Sequence, residues 1–377
     1  MHNKLLILSL ISCVVHLVFV PLSEGVTQVL AHVIMISICL YPVIWMLEHA
    51  TLKINLSFFL LLLCVFMAVV TDFHEIKTGP EEGILRQVGL FCAFYWIISL
   101  RQEDRYKINF KWLIVINYIL CAVILLYSYG PFDFRYARSE AWVGVVFTMG
   151  LPNPNAAAAY VMFAIVILII QISNTKHRWV KVLNVVVIGM LSYVMVMLRT
   201  RSVFVALFVT MLLRLFRAKK WSRAWMPRLI MLVPLAMILG HLMLAQMDID
   251  ITIFGKTLAS GRADLYETVF QEVRQAPLSY IFGRVGYYRL DNLHNAPLAI
   301  FANLGILGFL VWLPFWTGQL RYMNSIYSTR VQEIALIYVW AFIIHSSAEV
   351  MFMVGMTPYC LFMIVMTKLA KDEFVLT

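Results

Sequence analysis

The chain has 377 residues, of which 62% are hydrophobic and 13% charged, with a formal net charge of +10. A soluble domain of this length cannot hide so much apolar surface, so its natural solvent is expected to be a lipid bilayer. The basic surplus is scattered over many short segments and forms no interleaved aromatic platform, which argues against nucleic acid as a partner.

Apolar runs of about 17 to 22 residues, the length a helix needs to cross the hydrocarbon, recur along the whole chain. In order they cover residues 5–22, 27–47, 55–71, 84–100, 112–128, 153–172, 182–198, 202–216, 229–246, 296–316, 333–347 and 351–367. Lipid offers no partner for free backbone groups, and no alternating strand pattern is present, so these runs predict helices. The expected fold is therefore all-α: a single integral membrane domain over residues 1–377, polytopic, with about 12 transmembrane helices. The first run lacks a small-x-small cleavage site and another run follows at once, so it reads as a membrane helix and not a signal peptide. All six cysteines, Cys13, Cys39, Cys64, Cys92, Cys121 and Cys360, fall inside apolar runs, and no Cys-x-x-Cys occurs. That pattern speaks against disulfides and against a thiolate metal site.

Placing both termini in the cytoplasm puts 19 of the 30 lysines and arginines on the cytoplasmic side. The bias is clearest in the short connections 101–111, 173–181 and 217–228, where positive charge is the most reliable guide to orientation. The longest extracytoplasmic segment is then the periplasmic loop 247–293 between spans 9 and 10. Within it Leu265, Val269, Phe270 and Val273 recur at helical spacing, with Ser260 as N-cap and Pro277 as stop. This predicts a short amphipathic helix at the membrane surface.

The basic residues left on the outer side need an explanation. Leu198-Arg199-Thr200-Arg201-Ser202 is the whole turn between two apolar runs and brings two permanent cations to the membrane rim. Snorkelling toward headgroups is the plain alternative for Arg199 and Arg201. Arg135 and Arg138 precede Pro152-Asn153-Pro154-Asn155, which marks a fixed turn with an N-cap at Asn153 or Asn155. Four alanines follow and permit close helix approach. Arg262 and Arg284 come from the long segment. Arginines gathered on one face suit a diphosphate or another polyanion, because guanidinium forks bind phosphate oxygens bidentately and keep their charge. Near them in orientation stands Asp291-Asn292-Leu293-His294-Asn295, at the entrance of an apolar run. The pKa of histidine allows His294 to accept a proton near neutral pH. His16, His32, His241 and His345 lack such company and read as structural.

Several chemistries lack the residues they need. There is no His-Glu-x-x-His and no outer cluster of acids, so a zinc or magnesium centre has no ligand set. Gly-x-Ser-x-Gly and the phosphate-loop pattern are also missing. A transferase built this way needs a pre-activated, lipid-linked donor and no further cofactor.

These residues resemble the bacterial O-antigen ligase and O-antigen polymerase superfamily of polytopic membrane glycosyltransferases. The ligase pattern His-Asn-x9-Gly-x-x-Gly is met by His294, Asn295, Gly305 and Gly308. A Thr-Arg turn at the start of a span is met by Thr200-Arg201, and a loop arginine before a short helix by Arg262; Arg135 or Arg138 ahead of Asn-Pro-Asn-Ala looks like the superfamily's approach to a mid-chain span. The resemblance covers residues 130–365. It implies metal-independent, inverting transfer of a glycan from undecaprenyl diphosphate to lipid A–core oligosaccharide at the periplasmic face of the inner membrane. By the same resemblance, His294, Arg262 and Arg201 form the catalytic set, and Asn295 supports the geometry of His294. Arg138, Arg135, Arg199, Asn155 and Arg284 are expected to line the substrate site. A polymerase joining two undecaprenyl-diphosphate-linked glycans, for O-antigen or an exopolysaccharide, shares the donor and differs in acceptor. A flippase or transporter is the alternative of another class. It would place ionisable residues in mid-span, whereas here they crowd the outer rim, with Glu349 the main exception.

Overall fold

The computed structural model describes residues 2–50, 54–76, 82–100, 110–138, 145–151, 153–216, 220–246, 252–253, 256–257, 262–284, 293, 295–346 and 357–371. Helices make up 88% of these residues. In chain order they are α1 (His2–Phe19), α2 (Glu24–His49), α3 (Leu56–Ile76), α4 (Glu82–Ser99), α5 (Phe110–Tyr129), α6 (Pro154–Asn174), α7 (Arg178–Leu198), α8 (Arg201–Phe216), α9 (Lys220–Gln246), α10 (Arg262–Gln275), α11 (Pro277–Phe282), α12 (Ala296–Ile326), α13 (Arg330–His345) and α14 (Thr357–Lys371). Each of the twelve apolar runs overlaps one of these helices.

Among the described residues, five are long and apolar enough to cross a membrane: α2, α5, α6, α7 and α12. Helices α8, α13 and α14 have 16, 16 and 15 residues. At 1.5 Å per residue they rise only about 24 Å, less than the roughly 30 Å of hydrocarbon. Of the twelve expected spans, five thus have the length and apolarity to cross a membrane within the described residues.

The all-α expectation holds, with a small addition. Two small antiparallel hairpins occur, β1 (Tyr136–Arg138) with β2 (Val145–Phe147), and β3 (Thr252–Ile253) with β4 (Lys256–Thr257). Strands of two or three residues are too short to show a period of two in sequence.

Local signals account for the helix ends. Ser23 accepts a hydrogen bond from Val26 N–H at the start of α2. Asn153, the first of the two alternatives, caps α6, with Pro154 in the first turn. Thr329 and Gln332 form a reciprocal capping box on α13. Helix α10 stops at Gln275, two residues ahead of Pro277, which then opens α11, a position where its missing N–H costs nothing.

The core is centred on α6, α13 and α14. Ala156, Ala157, Ala158 and Ala159 are buried, and Phe163 stacks on Phe362 and meets Tyr338 edge-on. Helix α7 uses one stripe, Leu191, Val194, Met195 and Leu198, for the core. Its other face leaves Val182, Leu183, Val186 and Val196 exposed. An apolar face of that extent is what lipid covers.

Some polar groups inside the core find partners in one another. Tyr95 is fully buried, and its hydroxyl oxygen accepts from the indoles of Trp312 at 2.6 Å and Trp316 at 3.2 Å. Tyr95→Phe keeps the volume and removes the acceptor for two buried N–H groups. It is expected to cost about 2 kcal/mol, read as a lower melting temperature of the detergent-solubilised protein. An unchanged melting temperature would show that the indoles have other acceptors.

Two cations in the last turn of α14, Lys368 and Lys371, are buried. Lys368 donates to the hydroxyl of Tyr41 and lies over its ring. The three protons of the Lys371 ammonium meet three oxygens, Ile98 O, Leu100 O at 3.0 Å and Gln319 Oε1 at 2.7 Å. Lys371 therefore closes the carboxyl end of α4, where the helix dipole favours a cation.

Helix α12 is broken. Gly305 has φ 66 and ψ −172, a conformation open essentially to glycine alone. The break leaves a short segment, 296–304, and a long one, 306–326, which at about 30 Å crosses a bilayer unaided. The end of α11 packs into the break. A Cβ on Gly305 would collide with the Ile281 carbonyl, and one on Gly283 with the backbone of Asn303 and Leu304. The backbones approach this closely only because both positions lack a side chain.

Candidate functional site at one end of the bundle

The directions of the helices decide which candidate residues share an end. Tyr118 donates to Asn184 Oδ1, and Tyr129 donates to Met190 O and stacks on Tyr193. Residues rising together along α5 and α7 make the two helices parallel. Their carboxyl ends, the β1–β2 hairpin, the start of α6 and the turn into α8 consequently lie at one end. Tyr160 and Phe163 of α6 meet Tyr359 and Phe362 of α14 in step, which makes these two helices parallel. Lys371, at the end of α14, meets Gln319, late in α12, so the starts of α14 and α12 lie at this end as well. The turn between α1 and α2 does too: Tyr127 donates to Val18 O, and Pro21 lies against Gly150.

The start of α12 is anchored to this end. Ala296 N–H donates to Ser346 O, just past α13, at 2.9 Å. Asn295 is fully buried; its Oδ1 accepts from Leu298 N–H at 3.0 Å and its Nδ2 donates to Pro234 O of α9 at 3.3 Å. Ala299 N–H is taken by Asn295 O, and Pro297 has no N–H. Every first-turn donor of α12 is thus committed within the protein, so this helix terminus has none left for an anion. Asn295 acts as a cap and a strut. The sequence signal for the cap was present, an asparagine two residues ahead of a proline in the first helical turn. The acceptors Ser346 O and Pro234 O carry no such signal.

Arg135 follows a turn at Asp133–Arg135. Its guanidinium donates to Gly130 O at 2.7 Å and Ser128 O at 3.4 Å, and lies 5.3 Å from the Tyr136 ring centre. It caps the carboxyl end of α5, which explains its position without a substrate. Arg199 ends α7 in a left-handed conformation, φ 50, with its side chain exposed. Arg201 is the first residue of α8, Arg262 the first of α10, and Arg138 the last of β1. The side chains of these three lie outside the described residues. Asn155 is half-buried, its N–H held by Asn153 Oδ1 at 2.9 Å.

The long segment docks onto the start of α12. Helix α10 forms over the expected residues, and its Tyr266 and Val269 are fully buried. Phe270 meets Phe301 of α12 at 5.7 Å, and Tyr280 of α11 meets the same ring at 5.8 Å. The expected surface helix therefore spends its apolar face on the bundle. Arg284 N–H donates to Ala302 O at 3.4 Å, which sets its backbone at the far end of the short α12 segment from Asn295. That separation is about 10 Å along the helix. His294 lies outside the described residues; its neighbours Leu293 and Asn295 are both buried. Residues Ser260 and Glu349 also lie outside them.

Of the histidines read as lone, His16 has company: its Nδ1 lies 3.4 Å from the Tyr160 hydroxyl, which in turn faces Cys13 Sγ at 3.7 Å. Among the described residues, no three His, Cys, Asp or Glu side chains gather as metal ligands. Comparison of the chain with protein-family models, with curated proteins and with solved structures finds no match.

Proposed function

We propose that the chain is an O-antigen ligase, an inner-membrane enzyme with twelve membrane-crossing segments and both termini in the cytoplasm. It takes a glycan from undecaprenyl diphosphate and joins it to lipid A–core oligosaccharide at the periplasmic face. One observation carries this reading. The turn bearing Arg199 and Arg201 and the start of α12, which follows His294-Asn295, lie at the same end of the bundle. Helix α10, headed by Arg262, packs against that same α12 segment. The excess of Lys and Arg at the opposite end supports a periplasmic site.

The chemistry follows from the residue types. An acceptor hydroxyl attacks the anomeric carbon, the bond to the diphosphate oxygen breaks, and undecaprenyl diphosphate leaves. His294 takes the hydroxyl proton. Arg201 and Arg262 hold the diphosphate and offset the charge that grows on it. Attack in line inverts the anomeric centre.

A polymerase joining two lipid-linked glycans is the second reading, favoured by the modest length of segment 247–293, which leaves little material for a core-oligosaccharide pocket. The lipopolysaccharide gel pattern of a deletion strain separates the two. Loss of a ligase leaves bare core with polymerised glycan stranded on the carrier lipid. Core capped by a single repeat identifies a polymerase, and an unchanged pattern removes both readings.

A further inference from the structure

Helix α7 starts at the end of the bundle opposite the candidate site and carries a basic rim there. It has 21 residues and rises about 31 Å, enough to cross the hydrocarbon. Trp179, Leu183, Val186, Met190 and Tyr193 recur along it at spacings of four and three residues, and all are exposed. They form one outward stripe with an aromatic ring near each end, the arrangement by which tryptophan and tyrosine settle at the two membrane surfaces. Trp179 is the extreme case at 85% exposed. Around it stand Lys176, Arg178 and Lys181, all exposed as well. The helix gains nothing from these cations. Positive charge at a helix start opposes the dipole, and like charges one turn apart, as on Arg178 and Lys181, repel. No acidic residue stands in the first turn of α7, and the sequence holds no Asp or Glu between Glu140 and Asp248.

We propose that this rim of α7 binds the headgroups of anionic phospholipids, with Lys176, Arg178 and Lys181 on phosphate oxygens and the Trp179 indole seated among the headgroups. Charge complementarity and continuity with the apolar stripe choose the occupant. The acyl chains cover Leu183, Val186 and Met190, and the same lipid molecules then bring their phosphates to the level of the cations. Long aliphatic stems let the charged tips of Lys176 and Lys181 reach that level. Each Lys or Arg near an anionic lipid surface strengthens binding by about fivefold. A zwitterionic headgroup offers the same phosphate but cancels it with its own ammonium, so the preference follows net charge. Lipid binding here requires only that α7 crosses a bilayer, and it is independent of glycan transfer.

The test places the full chain in nanodiscs made from equal parts of phosphatidylglycerol and phosphatidylcholine. The chain is then released into mild detergent, and the lipids it retains are counted by mass spectrometry of the intact complex. The wild-type chain is expected to retain phosphatidylglycerol about tenfold over phosphatidylcholine. High salt should erode that ratio, because exposed charges are screened. Lys176→Gln, Arg178→Gln and Lys181→Gln made together change only exposed positions, so the melting temperature should hold while the ratio falls toward parity. Lys176→Arg, Arg178→Lys and Lys181→Arg made together keep the charge and should keep the ratio. Equal retention of the two lipids by the wild-type chain overturns the proposal and leaves the cations as orientation signals or as a dock for an acidic protein. An undiminished ratio in the folded, neutralised chain overturns it too, since the lipid would then sit elsewhere. Loss of the ratio in the charge-keeping chain does the same, because net charge would not be what the lipid reads.

Discussion

Replacing His294 with alanine is expected to abolish glycan transfer while leaving the protein inserted and folded. A positioned base contributes about 10²- to 10⁴-fold to such a reaction, so the residual rate should fall to the limit of most assays. Arg262→Ala should do the same, since the departing diphosphate would lose a fixed positive charge. The neighbouring asparagine behaves differently. Asn295 caps α12 and holds Pro234 O of α9, and it is fully buried. Asn295→Ala therefore lowers stability by about 1 to 2 kcal/mol and activity only as a consequence. The two adjacent residues are separated by measuring transfer from a purified lipid-linked donor alongside the melting temperature of each variant. A well-expressed, fully active His294→Ala chain would sink the catalytic assignment.

The second large effect belongs to Gly305. Alanine there would have to adopt φ 66 and ψ −172, and its Cβ would run into the Ile281 carbonyl. Neither partner is a flexible side-chain tip that could swing away. A backbone state of this kind costs an L-residue about 1 to 3 kcal/mol before any collision is counted, and forced repacking adds about as much. Gly305→Ala is expected to lower the melting temperature sharply. It should also reduce transfer, because the break sets the short α12 segment against which α10 docks through Phe270 and Phe301. Gly318 lies in the same helix with open space around it. Gly318→Ala is the control and should be neutral or slightly stabilising, since alanine favours a helix by about 1 kcal/mol. Equal melting temperatures for the two variants would show that the break bears no strain.

The sequence announced some of this and concealed the rest for identifiable reasons. Long apolar runs are strong signals, and each became a helix. The break at Gly305 was hidden, since a single glycine inside an apolar helical run usually signals nothing more than tolerance. At the candidate site, the common end of the arginine turns followed from counting spans. The commitment of Arg135 to Ser128 O and Gly130 O did not, because backbone acceptors leave no trace in residue identity. The burial of Lys368 and Lys371 was equally invisible: a cation in a last helical turn reads as a rim charge until the neighbouring helices are in place.

Lys371 has a consequence for how the protein is made. The carbonyl of Leu100 that it holds belongs to a residue synthesised 271 positions earlier. Helix α4 must leave the ribosome and enter the bilayer with its carboxyl end unfinished, waiting through the translation of ten further helices for its cap. Chains emerge at about 5 to 20 residues per second, so the wait lasts from about fifteen seconds to a minute. The last turn of α14 thereby ties a helix made late to the closure of one laid down 271 residues before it.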